Sequence, residues 1–249
     1  MASPARLINV LSMVAVLMVS GLANSLPLNG RTTAEAAHGY RSVFLPALYT
    51  FSMWNLIWVL LTGFCIYQLI RPRVGERVAM PFVSACFFNI AWIFLWHFGL
   101  FPLALGAALA LSVSLAVTYS RLTPRPTAGH EYLWSVLPFS IYLGWVCVTL
   151  VVNTAAALQY VGLTPWAGAE YGWLVVTVAA AAAAAALVSL HHSDPVFPLA
   201  FIWFFFGLLT RHSAVLTVVN VTAAASFALV LVSLYVLARA LGRAWIALR

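Results

Sequence analysis

The side chains of this sequence that could move a proton, bind a metal or attack a carbonyl stand mostly at the edges of its apolar runs. The five carboxylates are Glu35, Glu76, Glu131, Glu170 and Asp194, and all fall in polar segments or at run ends. Proton-coupled pumps and transporters place ionisable groups within the membrane, so this distribution argues against a proton relay. His97, His191, His192 and His212 stand near run ends, and His38 and His130 lie in polar segments. A b-type haem needs axial histidines on facing helices, and no such pair is evident. Structural or interfacial roles suit these imidazoles, with His97, directly after Trp96, the one to watch. Cys65, Cys86 and Cys147 lie inside apolar runs without metal-ligand spacing, where a thiol acts as a small hydrophobe. Lysine is absent, which excludes a retinal-type Schiff base. No nucleophile–base pair, phosphate loop or metal motif stands out, and the sequence reads as that of a non-enzyme with no metal site.

What remains is a set of amides and indoles. Asn55, Asn89, Asn153 and Asn220 fall within apolar runs, where an unpartnered amide is costly. Such groups either bond between helices, at about 0.6 kcal/mol each, or orient a ligand in an otherwise apolar pocket. Both readings stand for Asn89 and Asn153, while Asn220 suits packing. The glycosylation pattern Asn220-Val-Thr222 lies inside an apolar helix and is discounted. Of the ten tryptophans, Trp134, Trp166, Trp173 and Trp245 suit interfacial belts. Trp54, Trp58, Trp92 and Trp145 lie within or near the start of apolar helices. An indole offers a stacking face and one N–H, which suits a flat ligand with polar edges, with ordinary helix packing the alternative.

The elements that must carry these residues are membrane helices. The 249 residues are 64% hydrophobic and only 7% charged, with mean hydropathy +1.02. Soluble domains carry about 25% charged residues. Repeated apolar runs near the ~20 residues needed to cross a bilayer define an all-α polytopic bundle. Eight helices are expected, with approximate bounds Leu7–Leu26, Pro46–Ile70, Met80–Phe98, Phe101–Arg121, Tyr132–Val161, Tyr171–Leu190, Pro195–Thr210 and Ser213–Leu241. The first could also be a signal peptide, but its length favours a spanning helix. The polar segment Pro27–Arg41 contains Thr32-Thr-Ala-Glu35, a capping-box spacing. It reads as either a connector or a lid.

The net charge of +7 comes entirely from arginines set between or beyond the runs. With eight crossings, one side carries Arg6, Arg71, Arg73, Arg77, Arg121, Arg125, Arg239, Arg243 and Arg249, and the other only Arg31, Arg41 and Arg211. The positive-inside rule then places both termini in the cytoplasm. Charge deployed this way is a topology signal and gives no reason to expect nucleic-acid binding.

The segment Phe44-Leu-Pro-Ala-Leu-Tyr-Thr-Phe-Ser-Met-Trp-Asn-Leu-Ile-Trp58 resembles the loop-to-helix motif of the tryptophan-rich sensory protein family (TspO/MBR), which includes the mitochondrial translocator protein. Pro46, Phe51 and Trp54 match that motif, while Tyr49 replaces a Trp and Trp58 a Tyr. Asn89-Ile-Ala-Trp92 matches the family's Asn-x-x-Trp, with Ile93-Phe94 in place of Ser-Pro. Tyr142-Leu-Gly-Trp145 and Asn153, eight residues after the Trp, match its fifth helix, with Ile141 in place of a Pro. Leu26–Gly30 is similar to the first-loop start of a longer bacterial branch. The resemblance covers residues 1–162 as a five-helix bundle and leaves residues 163–249 as a three-helix extension.

The resemblance implies a non-covalent tetrapyrrole (haem or protoporphyrin), a sterol or a related hydrophobic ligand held within the first five helices. The implied ligand site is Pro46, Tyr49, Phe51, Trp54, Trp58, Asn89, Trp92, Tyr142, Trp145 and Asn153. Arg31 or Arg41 of the first loop would meet the ligand's carboxylates. It also implies homodimers, and the chain is expected in a bacterial inner membrane. The preferred expectation is a ligand-binding sensor. The alternatives are a transporter of a small hydrophobic molecule and an assembly subunit that docks its extra helices on a membrane complex.

Overall fold

A computed structural model describes residues 4–26, 28–38, 42–123 and 129–247. Among these residues every regular element is helical, and eight long helices account for most of the chain. They are α1 Pro4–Ser25, α2 Met53–Ile70, α3 Pro72–His97, α4 Phe101–Leu122, α5 Leu137–Tyr160, α6 Glu170–His192, α7 Phe197–Arg211 and α8 Leu216–Ala247. Seven have the length and apolarity to cross a membrane, and α7, at 15 residues, is shorter. The chain is an integral membrane protein built as a polytopic helical bundle.

Local sequence sets the helix boundaries. Proline opens α3 and stands in the first turns of α4, α5 and α7, where its missing N–H costs nothing. Gly99, at φ 72°, turns the chain between α3 and α4, a conformation that suits a residue without Cβ. The helix α3 starts at Pro72, earlier than the expected start near Met80. Charged Arg73, Glu76 and Arg77 lower the hydropathy of this stretch, but they form helix readily. Pro81 also fails to stop α3. A proline removes the hydrogen bond to the carbonyl four residues back, here that of Arg77, and Arg121 Nη1 on α4 donates to that oxygen at 3.1 Å. Pro138 does likewise to Trp134, and the chain there widens into a π-helical turn, Tyr132–Val136, which leads into α5.

Two compact units divide the described chain. The first comprises residues up to Ser42 together with Phe51–Thr164, and the second comprises Val43–Thr50 together with residues from Pro165 onward. In the first unit α3 lies along α1 and α4, and α5 lies along α4 and α2. Its core holds Phe64, Phe82 and Phe139, all fully buried, one each from α2, α3 and α5. Their rings meet edge to face at centroid distances of 5.4, 4.8 and 5.7 Å, the geometry favoured by the ring quadrupole. Toward the start of α1, buried Asn9 donates through Nδ2 to Gln68 Oε1 at 2.8 Å and to the Gly75 carbonyl at 3.1 Å. Position 75 must be glycine for this contact, because a Cβ would run into the Gln68 amide oxygen. Arg6 and Glu76 approach to 3.8 Å beside it.

In the second unit α8 packs on both α6 and α7. The helix α6 ends at Ser193 in a left-handed conformation, φ 54°. Asp194 then accepts the Val196 N–H at 2.9 Å, and Ser189 Oγ donates to the Asp194 carbonyl at 2.6 Å, so the turn into α7 is closed by its own side chains.

In the first loop, the Thr32 N–H donates to Glu35 Oε2 at 2.9 Å and the Glu35 N–H donates to Thr32 Oγ1 at 3.3 Å. This reciprocal pair is a capping box on the short helix Thr33–His38. The bonds from Thr32 hold the Glu35 carboxyl below its usual range.

Candidate ligand-binding site

Four tryptophans on two helices form one stack in the first unit. Trp54 and Trp58 are four residues apart on α2, and Trp92 and Trp96 are four apart on α3, a spacing that puts each pair on one face. Trp58 stacks on Trp54 at 5.3 Å with 20° between planes. Trp54 faces Trp92 at 5.7 Å and 32°, and Trp92 stacks on Trp96 at 5.7 Å and 24°. The result is a ladder of four nearly parallel indoles. From α5, Tyr142 and Trp145 meet Trp54 edge-on at 5.9 and 6.2 Å, and Phe51 meets Trp145 edge-on at 6.3 Å. The ladder is graded in exposure: Trp92, Trp96 and Trp145 are buried, whereas Trp54 and Trp58 are half-buried.

Amides fix the deep end. Trp92 Nε1 donates to Asn153 Oδ1 at 2.7 Å, and Asn153 Nδ2 donates to the Thr149 carbonyl at 3.0 Å. Asn89 Nδ2 donates to the Tyr142 hydroxyl at 2.8 Å, while Asn89 Oδ1 is buried and has no hydrogen-bond partner among the described residues. Asn89, Tyr142 and Asn153 are each at most 3% exposed, so these bonds form away from water and orient the rings they hold. These are the interhelical bonds of the packing reading, and they position the rings they hold.

The expected site residues fall into two places. Phe51, Trp54, Trp58, Asn89, Trp92, Tyr142, Trp145 and Asn153 come together in the first unit, joined by Trp96, whose role the sequence alone did not suggest. Its signal was the i, i+4 repeat with Trp92. Pro46 and Tyr49 belong to the second unit. There Tyr49 bonds Thr210 Oγ1 at 3.0 Å and meets Trp203 and Phe206 edge-on. Asn55 and Asn220 are exposed on their helices and take no part. Arg31 lies exposed in the first loop, and Arg41 lies outside the described residues.

His97 ties the first loop to the end of α3. Its Nδ1 lies 2.7 Å from the Ile93 carbonyl, which makes Nδ1 the protonated nitrogen, and its Nε2 lies 3.4 Å from Thr33 Oγ1. Asn29 Nδ2 also donates to the His97 carbonyl at 3.0 Å. Among the described residues no group of three or more His, Cys, Asp or Glu side chains is disposed to hold a metal.

A polytopic helical membrane protein with an amide-braced indole ladder is thus the class defined by fold and site. The chain matches the family model described as TSPO-like protein over residues 6–236, and it belongs to that family. The match takes in α6, α7 and most of α8 as well as the five-helix bundle. Among curated proteins the chain is similar to the thromboxane A2 receptor of Mus musculus, 32% identical over 124 residues. Those residues make up 49% of this chain and 34% of the receptor, so the chain spans about a third of that relative's length. No solved structure matches.

Proposed function

We propose that this protein is a membrane-embedded binder and sensor of a flat hydrophobic ligand of the tetrapyrrole class. The observation that carries this reading is the graded indole ladder. Its buried Trp92 is locked by a hydrogen bond to Asn153, while Trp54 and Trp58 keep part of their surface open. A rigid aromatic floor with one accessible edge costs little to organise when a planar ring settles on it. Each stacked pair of aromatic rings contributes about 0.5–1.5 kcal/mol beyond simple burial.

The donor set fits the face of a macrocycle rather than an iron at its centre. His97, the imidazole nearest the ladder in sequence, is already engaged through both ring nitrogens. Protoporphyrin and haem should therefore bind with similar affinity. Titration of the full-length protein with each, followed by Trp quenching, tests this. Saturable micromolar quenching by both ligands supports the reading. Quenching by haem alone would point to iron ligation instead, and no quenching by either would reject it.

The same reading places both termini in the cytoplasm. Arginine supports a crossing by α7 despite its length of about 22 Å at 1.5 Å per residue. With eight crossings the arginines divide nine to three. If α7 did not cross, Arg211 would change sides along with Arg239, Arg243 and Arg249, giving seven to five. The more asymmetric division is the one the positive-inside rule favours. Reporter fusions at both ends check it, and opposite locations would overturn it.

A further inference from the structure

We propose that Val43–Thr50 is a strap through which the second unit sets the ligand affinity of the indole ladder, an inference that rests on the binding reading above. The strap is held along one face of α7 and at its end. Its Ala47 N–H donates to the Gly207 carbonyl at 3.0 Å. Trp203 Nε1 donates to the Thr50 carbonyl at 2.9 Å, and His212 Nε2 donates to the Val43 carbonyl at 3.0 Å. Tyr49 adds its hydroxyl bond to Thr210. Residues 203, 207 and 210 follow a helical i, i+4, i+7 spacing, which makes one stripe of α7 a seat for the strap.

Gly207 makes this seat possible. A Cβ at position 207 would collide with Thr50 Oγ1, and it would lie 2.9 Å from Pro46 Cβ and 3.0 Å from Thr50 Cβ. The strap therefore approaches α7 as closely as a glycine permits. It also has no slack on its other side. The 3-10 turn Leu48–Ser52 begins in the strap and runs directly into α2 at Met53. Trp54, the ring that meets Trp58, Trp92, Tyr142 and Trp145, is four residues beyond Thr50. A displacement of the strap on α7 is carried along a hydrogen-bonded turn to the centre of the ladder. Gly207 is thus a positioning residue for a site it does not touch.

The test is a suppressor cycle in the full-length protein. Gly207→Ala forces the strap off its seat. Thr50 Oγ1 is buried and has no hydrogen-bond partner among the described residues, so Thr50→Ala removes the colliding hydroxyl without breaking a hydrogen bond. Protoporphyrin affinity is read from the Soret band, and amide hydrogen exchange is read over residues 43–50 and 51–58. We expect Gly207→Ala to weaken binding about fivefold and Thr50→Ala to change it by less than about twofold. The double variant should recover part of the loss, because the close approaches to Pro46 Cβ and Thr50 Cβ remain. Exchange in Gly207→Ala should rise over 51–58 as well as over 43–50. Exchange confined to 43–50, or affinity unchanged in a folded Gly207→Ala protein, would overturn the proposal. Should Gly207→Ala not fold, Thr210→Val, which removes the Tyr49 bond and the hydroxyl's own bond to the Gly207 carbonyl, must shift affinity and 51–58 exchange in the same direction. A wild-type protein that binds no protoporphyrin contradicts the ligand reading, and exchange at 51–58 then decides the strap alone.

Discussion

The two units use their buried polar groups differently. In the first, beside bonds to backbone carbonyls, buried side chains meet side chains across helices: Asn9 with Gln68, Asn89 with Tyr142, and Trp92 with Asn153. In the second, most polar side chains reach for backbone: Trp203 to Thr50, His212 to Val43, Ser189 to Asp194 and Thr222 to Val218. A bond between two side chains demands a particular residue at both ends and fixes two rotamers. A bond to a carbonyl accepts any residue at the receiving end. The first unit is therefore specified as a site, with chemistry that cannot be exchanged, whereas the second is specified as a holder. This contrast predicts that substitutions in the second unit hurt mainly on the gripping helix, while in the first they hurt at both partners.

The largest expected effect tests the close approach at the start of the first bundle. Gly75→Leu drives a side chain into Gln68 and separates Asn9 from its acceptors. Overpacking costs about 1–3 kcal/mol, and buried amides left unmatched add about 1–3 kcal/mol more. Denaturant unfolding in detergent should show a loss near the upper part of that range, and a loss below about 1 kcal/mol would remove this contact from the account.

Next in size is the bond between the ladder and α5. Trp92→Phe deletes the indole N–H and leaves buried Asn153 Oδ1 without its donor, at a cost of about 1–2 kcal/mol. Asn153→Leu should cost a similar amount, and the pair together less than the sum, because both remove one bond. Strictly additive losses would mean the bond does not couple α3 to α5.

A smaller effect concerns pH and the strap. Burial holds the His212 imidazole below its ordinary range, and neighbouring Arg211 adds to this, while its bond to Val43 partly opposes it. Because the folded value is the depressed one, the neutral form is favoured by folding. Its contribution is fully present above the ordinary value of about 6.5 and is lost as pH falls through the lower, folded value. Exchange at residues 43–50 should therefore rise on acidification below that point, and it should do so less in His212→Gln. Equal acid sensitivity in the variant would show that His212 is not the cause.

The smallest effect is expected at Thr222. Its hydroxyl bonds only its own helix, at Val218 and Val219, so Thr222→Val should shift stability by less than about 0.6 kcal/mol. A large loss there would break the distinction between holder and site.

Much of the fold could be read from hydropathy alone, because each apolar run must satisfy its backbone internally. The eight helices follow, with proline and glycine marking most ends. Pro72 and Pro81 show the limit. A proline's effect on α3 depends on whether Arg121, forty residues on, can reach a freed carbonyl, and no local pattern records that. At the site, Asn89, Trp92, Trp145 and Asn153 were legible as amides and indoles within apolar runs, and Tyr142 through the family resemblance. Their pairing was not, since Trp92 and Asn153 meet only through the packing of α3 and α5. The segment from Pro46 to Trp58 reads as one continuous wall. The structure cuts it between Thr50 and Phe51, because Pro46 and Tyr49 find their partners near Gly207, a glycine whose need for closeness appears only when the strap is in place.

The central claim is that the open edge of the ladder, Trp54 and Trp58, is where a planar macrocycle binds. The most direct measurement is protoporphyrin affinity of Trp54→Ala/Trp58→Ala beside Trp173→Ala, which removes an exposed indole of the second unit. The account predicts a loss of at least about tenfold in the first, equivalent to about 1.4 kcal/mol, and none in the second. Unchanged affinity in a folded Trp54→Ala/Trp58→Ala protein would contradict it.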